Sequence, residues 1–342
     1  MKFVDLSAEY WAYRRDINDR WLRIKEAGCF LFGKEVEELE ASFPEYVAEK
    51  KYGVAVKSGT DALLLVLGRV HREGMPIILP NFGAYPTAVA CRHITDRLIY
   101  VDVDASMTMD VTKLPDVRDG IIVPVHLFGN NCRMEEIMEY AEVNNHIVVE
   151  DCAQSTGSGS GKYGDYSVFS FYPTKPLASM GDGGMICSDN NLDYFKKARF
   201  YGVDDGILGV NSRMDEFQAA VVNSKLGSFT KLNQRRIEIA ERYKKIVKGI
   251  KVNSNSVYHQ FVVQFKDRNE VIKKLNGIPY MIHYENHVNE IPVLRGRFNP
   301  EVHYRVNDRI ISLPVHPYLT NSEMEQVEDF LHENKKEELE SV

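Results

Sequence analysis

Short apolar runs recur through the first two-thirds of this chain, and most of them end on a polar residue. Gly53–Val56, "MPIILPNF", "LIYVDVD" (98–104), "GIIVPVHLFG" (120–129) and "HIVVEDCAQ" (146–154) are five of them, and "YSVFSF" and "GGMICS" complete the set. Short runs of this kind, apolar without alternation, predict strands buried on both faces. Segments of helical spacing lie between them, such as Asp61–Val70 with its leucines on one face, and "RMEEIMEYAEVNN". Residues 12–50 also read as helical, interrupted by "GCFLFG". The alternation predicts an α/β fold with a mainly parallel sheet covered on both faces. Ligands of such sheets bind beyond the carboxyl ends of the strands. Ser58, Asn81, His126, Asp151 and Lys175 all follow strand ends, so one site gathered from distant segments is expected.

With 342 residues the chain is long for one domain, and two are expected. The texture changes near residue 226. "KLNQRRIEIAERYKKIVKGI" is a long charged helix, and "VYHQFVVQF", "RNEVIKKLNGI", "YMIHYENH" and "IISLPVHPYLTNSEMEQVEDFL" read as a smaller α+β unit. The division is therefore 1–225 and 226–342. A net charge of −7 disfavours nucleic acid as a partner. The five cysteines are scattered, with no metal-ligand spacing and no disulfide framework, which fits a reducing cytoplasm and predicts no metal. The opening "MKFVDLSAEYWAYRRD" has no apolar signal core, and no run is long enough to span a membrane.

Three stretches carry candidate chemistry. "SGTDALLL" sets a small turn before a helix, where backbone N–H groups and a threonine hydroxyl suit a phosphate, although the same residues also serve as a simple helix cap. "VVEDCAQS" ends a buried strand on Asp151, followed by Gln154. That aspartate either caps its loop or holds a protonated ring nitrogen. "FSFYPTKPLASMGDGG" exposes Lys175 after an apolar run and before a glycine-rich turn. A desolvated lysine there would have a lowered pKa and a nucleophilic amine able to form a Schiff base.

Together with "PVHLFGNNCRMEEI", "GVNSRMDEFQAAVV" and "SLPVHPYLT", these stretches resemble the nucleotide-sugar aminotransferases of the DegT/StrS type, in order and over nearly the whole chain. The resemblance implies a pyridoxal 5'-phosphate (PLP) enzyme of transferase fold type I, with a mainly parallel mixed seven-stranded sheet and a smaller C-terminal α+β domain. By position, Lys175 matches the lysine that carries the cofactor. Asp151 matches the partner of its ring nitrogen, and Gln154 the residue near its phenolic oxygen. Gly59, Thr60 and Ser170 match phosphate-binding positions. Asn211 matches an asparagine that reaches the phosphate from a neighbouring subunit, which implies a homodimer with shared sites. The family stacks an aromatic ring on the cofactor. Here "PNFGAYPTA" puts Ala84 at that position and Tyr85 one place later, so Tyr85 is the candidate. The segment "IHYENHVNE" is shorter than its family counterpart.

The implied reaction moves an amino group from glutamate to a nucleotide-linked keto sugar. The pieces "TKPL", "GVNSRMD" and "SLPVHPYL" resemble the branch acting on 3-keto sugars, either UDP-linked uronic acid derivatives or dTDP-linked 6-deoxyhexoses. Arg213 is the candidate for a sugar carboxylate or a phosphate, with an interdomain ion pair as the alternative. His283 and Tyr284 are candidates for the sugar site. Amination of a 4-keto sugar and PLP binding without turnover remain as other readings. A nicotinamide dehydrogenase would need a glycine fingerprint in a strand–turn–helix setting, which Gly157, Gly159 and Gly161 lack.

Overall fold

The computed structural model describes residues 1–296 and 306–339. Two helices open the chain, α1 (Leu6–Ala27) and α2 (Lys34–Phe43). The Asp5 carboxylate caps α1 by accepting the amides of Ser7 and Ala8, and Gly28 ends it in the left-handed conformation. Next come β1 (Tyr52–Val56), α3 (Gly59–Val70), β2 (Ile77–Pro80), α4 (Tyr85–Ile94) and β3 (Leu98–Val101). Then follow β4 (Ile121–Ile122), α5 (Met134–Asn144), β5 (Ile147–Asp151), β6 (Tyr166–Ser170) and β7 (Gly184–Ser188). The last part holds α6 (Asp193–Ala198), α7 (Glu216–Leu226), α8 (Phe229–Lys244), β8 (Phe261–Gln264), α9 (Arg268–Ile272), β9 (Ile310–Leu313) and α10 (Asn321–Asn334).

Seven strands form one sheet in the order β1-β7-β6-β5-β4-β2-β3. β7 runs antiparallel to β1 and β6, and every other pair is parallel. Side chains alternate between the faces. Ile77, Leu79, Ile121 and Val149 join the core beneath α3 and α4, whereas Ile78, Ile122 and Val148 join the one beneath α5. Both faces are buried, which is why these runs show no polar alternation. The apolar stretch 120–129 forms only a two-residue strand. Pro124 has no N–H to give to the ladder, and the chain turns into the loop that carries His126.

The C-terminal part builds an antiparallel pair, β8 with β9, over a core of its own that includes Tyr243, Phe261, Val263, Leu313 and Phe330. The expected 226–342 unit is not wholly separate. Val288 and Leu294 enter the core of the large sheet, and the Val288 amide donates to the Asn81 carbonyl at 2.8 Å. A further core joins Phe82, Val125 and Phe128 to Val262 and Ile310. "YMIHYENH" is no strand beyond one bridge of Met281 to Ser312.

The sheet also fixes the turn between β1 and α3. At Gly184 a Cβ would lie 2.5 Å from the Ser58 carbonyl carbon and 2.7 Å from the Gly59 nitrogen. These are backbone atoms that cannot yield without moving the turn. Gly184→Ala is expected to cost about 1–3 kcal/mol in a denaturant titration. An unchanged midpoint would show that the turn is free to move.

Candidate active site

A cavity of about 270 Å³ opens where β1, β5 and β6 end. Six of the residues expected to form a site line it together: Gly59, Thr60, Asp151, Gln154, Ser170 and Lys175. Each arrives for a local reason. Ser58 caps α3 by accepting the Asp61 amide at 3.1 Å, so the first N–H groups of that helix face the cavity rim. Gly59 comes so close to the end of β6 that a Cβ would lie 2.9 Å from that of Ser170. Asp151 is the last residue of β5. Lys175 sits in a tight turn in which its own amide donates to the Tyr172 carbonyl at 2.9 Å.

Asp151 is 4% exposed. Its carboxylate accepts the Thr87 hydroxyl at 2.6 Å through Oδ2 and the Ala153 amide at 3.0 Å through Oδ1. No arginine or lysine pairs with it at ion-pair distance among the described residues. Burial lowers the pKa of Lys175 to about 8, against the attraction of Asp151, which raises it. His283 is pulled down to about 4 by burial and by the Lys175 charge, so it is neutral at pH 7. Its Nδ1 lies 2.9 Å from the Ser312 hydroxyl. His259 is lowered too, by burial and by Lys175 and Arg236.

Gln154 is oriented at both ends. Its Oε1 accepts the Phe128 amide at 2.8 Å, which turns its Nε2 to donate to the Tyr284 hydroxyl at 3.0 Å. Tyr284 therefore reaches the site through Gln154. Its ring stacks on Phe128 with centroids 6.3 Å apart, and burial pushes its pKa up to about 12. Tyr85 is not among the residues lining the cavity. Ala84 and Pro86 are, while the Tyr85 ring lies 6.3 Å from that of Tyr284.

Asn211 and Arg213 lie away from the cavity, on an exposed face. Arg213 donates to the Asn211 side chain at 3.0 Å, and its guanidinium stands 4.5 Å from the Phe200 ring centroid. It makes no ion pair among the described residues, so the expected interdomain pair is absent from them. His126, Glu150 and Cys152 cluster behind the site, in reach of a common ion. Glu150 is already occupied by the amides of Gly161, Tyr163 and Gly164 and by His126 Nε2, and His126 Nδ1 takes the Cys132 amide. Thr87 was not legible in the sequence. A threonine in the first turn of a helix carries no mark that it will meet a carboxylate 64 positions later.

Residues 12–332 match the profile of the DegT/DnrJ/EryC1/StrS aminotransferase family. The chain belongs to this family. It is 30% identical to a UDP-N-acetyl-3-dehydro-alpha-D-glucosamine 3-aminotransferase of Acidithiobacillus ferrooxidans, over 95% of each chain. It is 32% identical to a dTDP-3-amino-3,6-dideoxy-alpha-D-galactopyranose transaminase of Aneurinibacillus thermoaerophilus, over 95% of this chain and 97% of that one. The crystal structure of DesV from S. venezuelae, in complex with a ketimine intermediate, superposes with a TM-score of 0.89 at 29% identity, covering 97% of both chains.

The protein is thus an aminotransferase, and its cofactor is PLP. The cavity fits that group: an amine for the aldehyde, a buried carboxylate for the ring nitrogen, and a helix N-terminus with Ser170 for the phosphate. In the apoprotein, acylation of Lys175 followed by mass spectrometry should trace a midpoint near pH 8, with the amine reactive above it. Asp151→Asn removes an attraction that favours the ammonium form, so the midpoint should fall. A midpoint near 10 in the wild type would contradict the burial argument.

Proposed function

We propose that the enzyme transfers the amino group of glutamate to the C3 carbonyl of a nucleoside-diphosphate-linked 3-keto sugar. The reading rests on the cavity that gathers Lys175, Asp151 and the α3 N-terminus. It draws as well on two relatives whose names place an amino group at C3 of a nucleotide sugar. Bound PLP supplies an aldehyde that takes up amines and a ring that accepts electrons from carbon. Lys175, neutral in part at physiological pH, would hold the cofactor and then move a proton between carbon atoms as a general base. Asp151 would keep the ring nitrogen protonated. Gly59, Thr60 and Ser170 would hold the phosphate, and Gln154, aligned by Phe128 and Tyr284, would face the phenolic oxygen. His283 and Tyr284, reaching over from the C-terminal part, would meet the sugar.

The two-part division near residue 226 and a homodimer with shared sites belong to the same reading. The Arg213 guanidinium lies over the Phe32 and Phe200 rings, Leu208 and Val210 share a hollow with Asn211, and these apolar side chains are exposed, Leu208 at 97%. An apolar face of this kind calls for a partner. A second copy seated there would carry Asn211 to the neighbour's phosphate and Arg213 toward the neighbour's sugar. No helix among the described residues is long and apolar enough to cross a membrane. The scattered cysteines suit the reducing cytoplasm.

The test is glutamate-dependent formation of 2-oxoglutarate with UDP-linked and dTDP-linked 3-keto sugars. Turnover of either supports the reading, and amination of 4-keto sugars alone would overturn it. Arg213→Met separates the sugar classes. If Arg213 meets a uronic carboxylate, a UDP-3-keto-uronic acid should lose about ten-fold to a hundred-fold in kcat/KM, the equivalent of roughly 1.5–3 kcal/mol. A dTDP-linked 6-deoxy sugar should lose less. Equal losses would assign Arg213 to phosphate or to structure.

Shared sites have their own test. Lys175→Ala and Asn211→Ala homodimers should both be impaired, whereas hybrids formed by mixing them should recover part of the activity through one intact site. No recovery in verified hybrids would place both residues in the same subunit's site.

A further inference from the structure

Among the described residues the Asp151 carboxylate receives only two hydrogen bonds, and one of them has no role in the fold of its own segment. The Ala153 amide is a local contact, two residues along the same loop. The Thr87 hydroxyl comes from the first turn of α4, on the other side of the cavity, and reaches Oδ2 at 2.6 Å. Thr87 is 6% exposed and lines the same cavity as Asp151 and Lys175. A threonine in a helix commonly returns its hydroxyl to the carbonyl four residues earlier. Here that position is Gly83, ahead of the helix, and the proton goes to the carboxylate instead. An ionised carboxylate only accepts, so the direction is fixed: Thr87 donates.

We propose that Thr87 is a positioning residue that acts through Asp151. By occupying one acceptor site on Oδ2, while Ala153 occupies one on Oδ1, it fixes the plane of the carboxylate. It also stabilises the negative charge, because a donor to an ionised acceptor makes a strong hydrogen bond. One acceptor site on each oxygen then remains for a protonated nitrogen in the cavity. The shared proton stays with the cofactor ring, as an electron-accepting ring requires. The inference rests on the PLP assignment and is independent of which sugar is aminated.

Thr87→Val keeps the branched shape and removes only the donor. Thr87→Ser keeps the donor and loses the methyl group. With 15N-labelled PLP bound, the ring-nitrogen resonance of Thr87→Val should move from the protonated toward the unprotonated range. Its cofactor dissociation constant should rise about ten-fold. Thr87→Ser should stay close to wild type in both. If Thr87→Val does not fold, Thr87→Ala gives the same comparison with a smaller side chain. In an Asp151→Asn background, Thr87→Val should add little further loss of affinity, because both changes remove the same interaction. A wild-type resonance and affinity in Thr87→Val would overturn the proposal. So would equal impairment of Thr87→Ser, or fully additive losses with Asp151→Asn. Failure of the wild type itself to retain PLP would instead refute the cofactor assignment.

Discussion

Two adjacent carboxylates end strand β5, and because strand residues alternate in direction they organise the site from opposite faces. Glu150 points behind the sheet. There it gathers the amides of Gly161, Tyr163 and Gly164 and the imidazole of His126. Such saturation with donors offsets the cost of burying its charge. In return it fixes the glycine-rich loop, in which Gly157, Gly159 and Gly161 all adopt positive φ. That loop runs on from Gln154, so the anchor behind the sheet sets the floor of the cavity in front of it. Asp151 points into the cavity with only two donors among the described residues and is left able to accept more. One strand end thus supplies both the scaffold and the reactive polarity.

The C-terminal part of the chain takes part in the site rather than merely covering it. Arg236 of α8 is buried without a carboxylate partner among the described residues, and it donates to Asn233 and to the Pro176 carbonyl next to Lys175. Asn233 in turn donates to the Thr156 carbonyl. One helix therefore ties the lysine loop to the loop that follows Asp151. From the opposite side, Tyr284 rests on Phe128 and holds Gln154. Lys175 faces both His259 and His283, and Arg236 faces His259, and these cations disfavour a charge on the imidazoles. Together with burial this keeps the imidazoles of His259 and His283 neutral beside the amine.

The α/β class, the succession of strands and helices along the chain and the cavity residues Gly59, Thr60, Asp151, Gln154 and Lys175 were legible in sequence, while Ser170 came from the family resemblance. Buried parallel strands must be apolar on both faces, and ligand-binding residues must then sit in the turns that leave them. Glycine is likewise readable where two backbones approach closely, as at Gly59 and Gly184. The family resemblance added the chemistry that such patterns do not carry.

Tertiary structure decided the rest. Nothing local distinguishes Thr87 from any threonine near a helix start, or shows that Val288 and Leu294 return to the first core. Such contacts depend on how separate segments pack. Tyr85 shows the same limit from the other side. A one-residue difference in a loop separates Ala84 from Tyr85, and of the two it is Ala84 that lines the cavity. Sequence fixes which residues are available at strand ends, because burial dictates pattern. Only the folded chain decides which donors meet which acceptors, because that depends on distances between elements far apart in sequence.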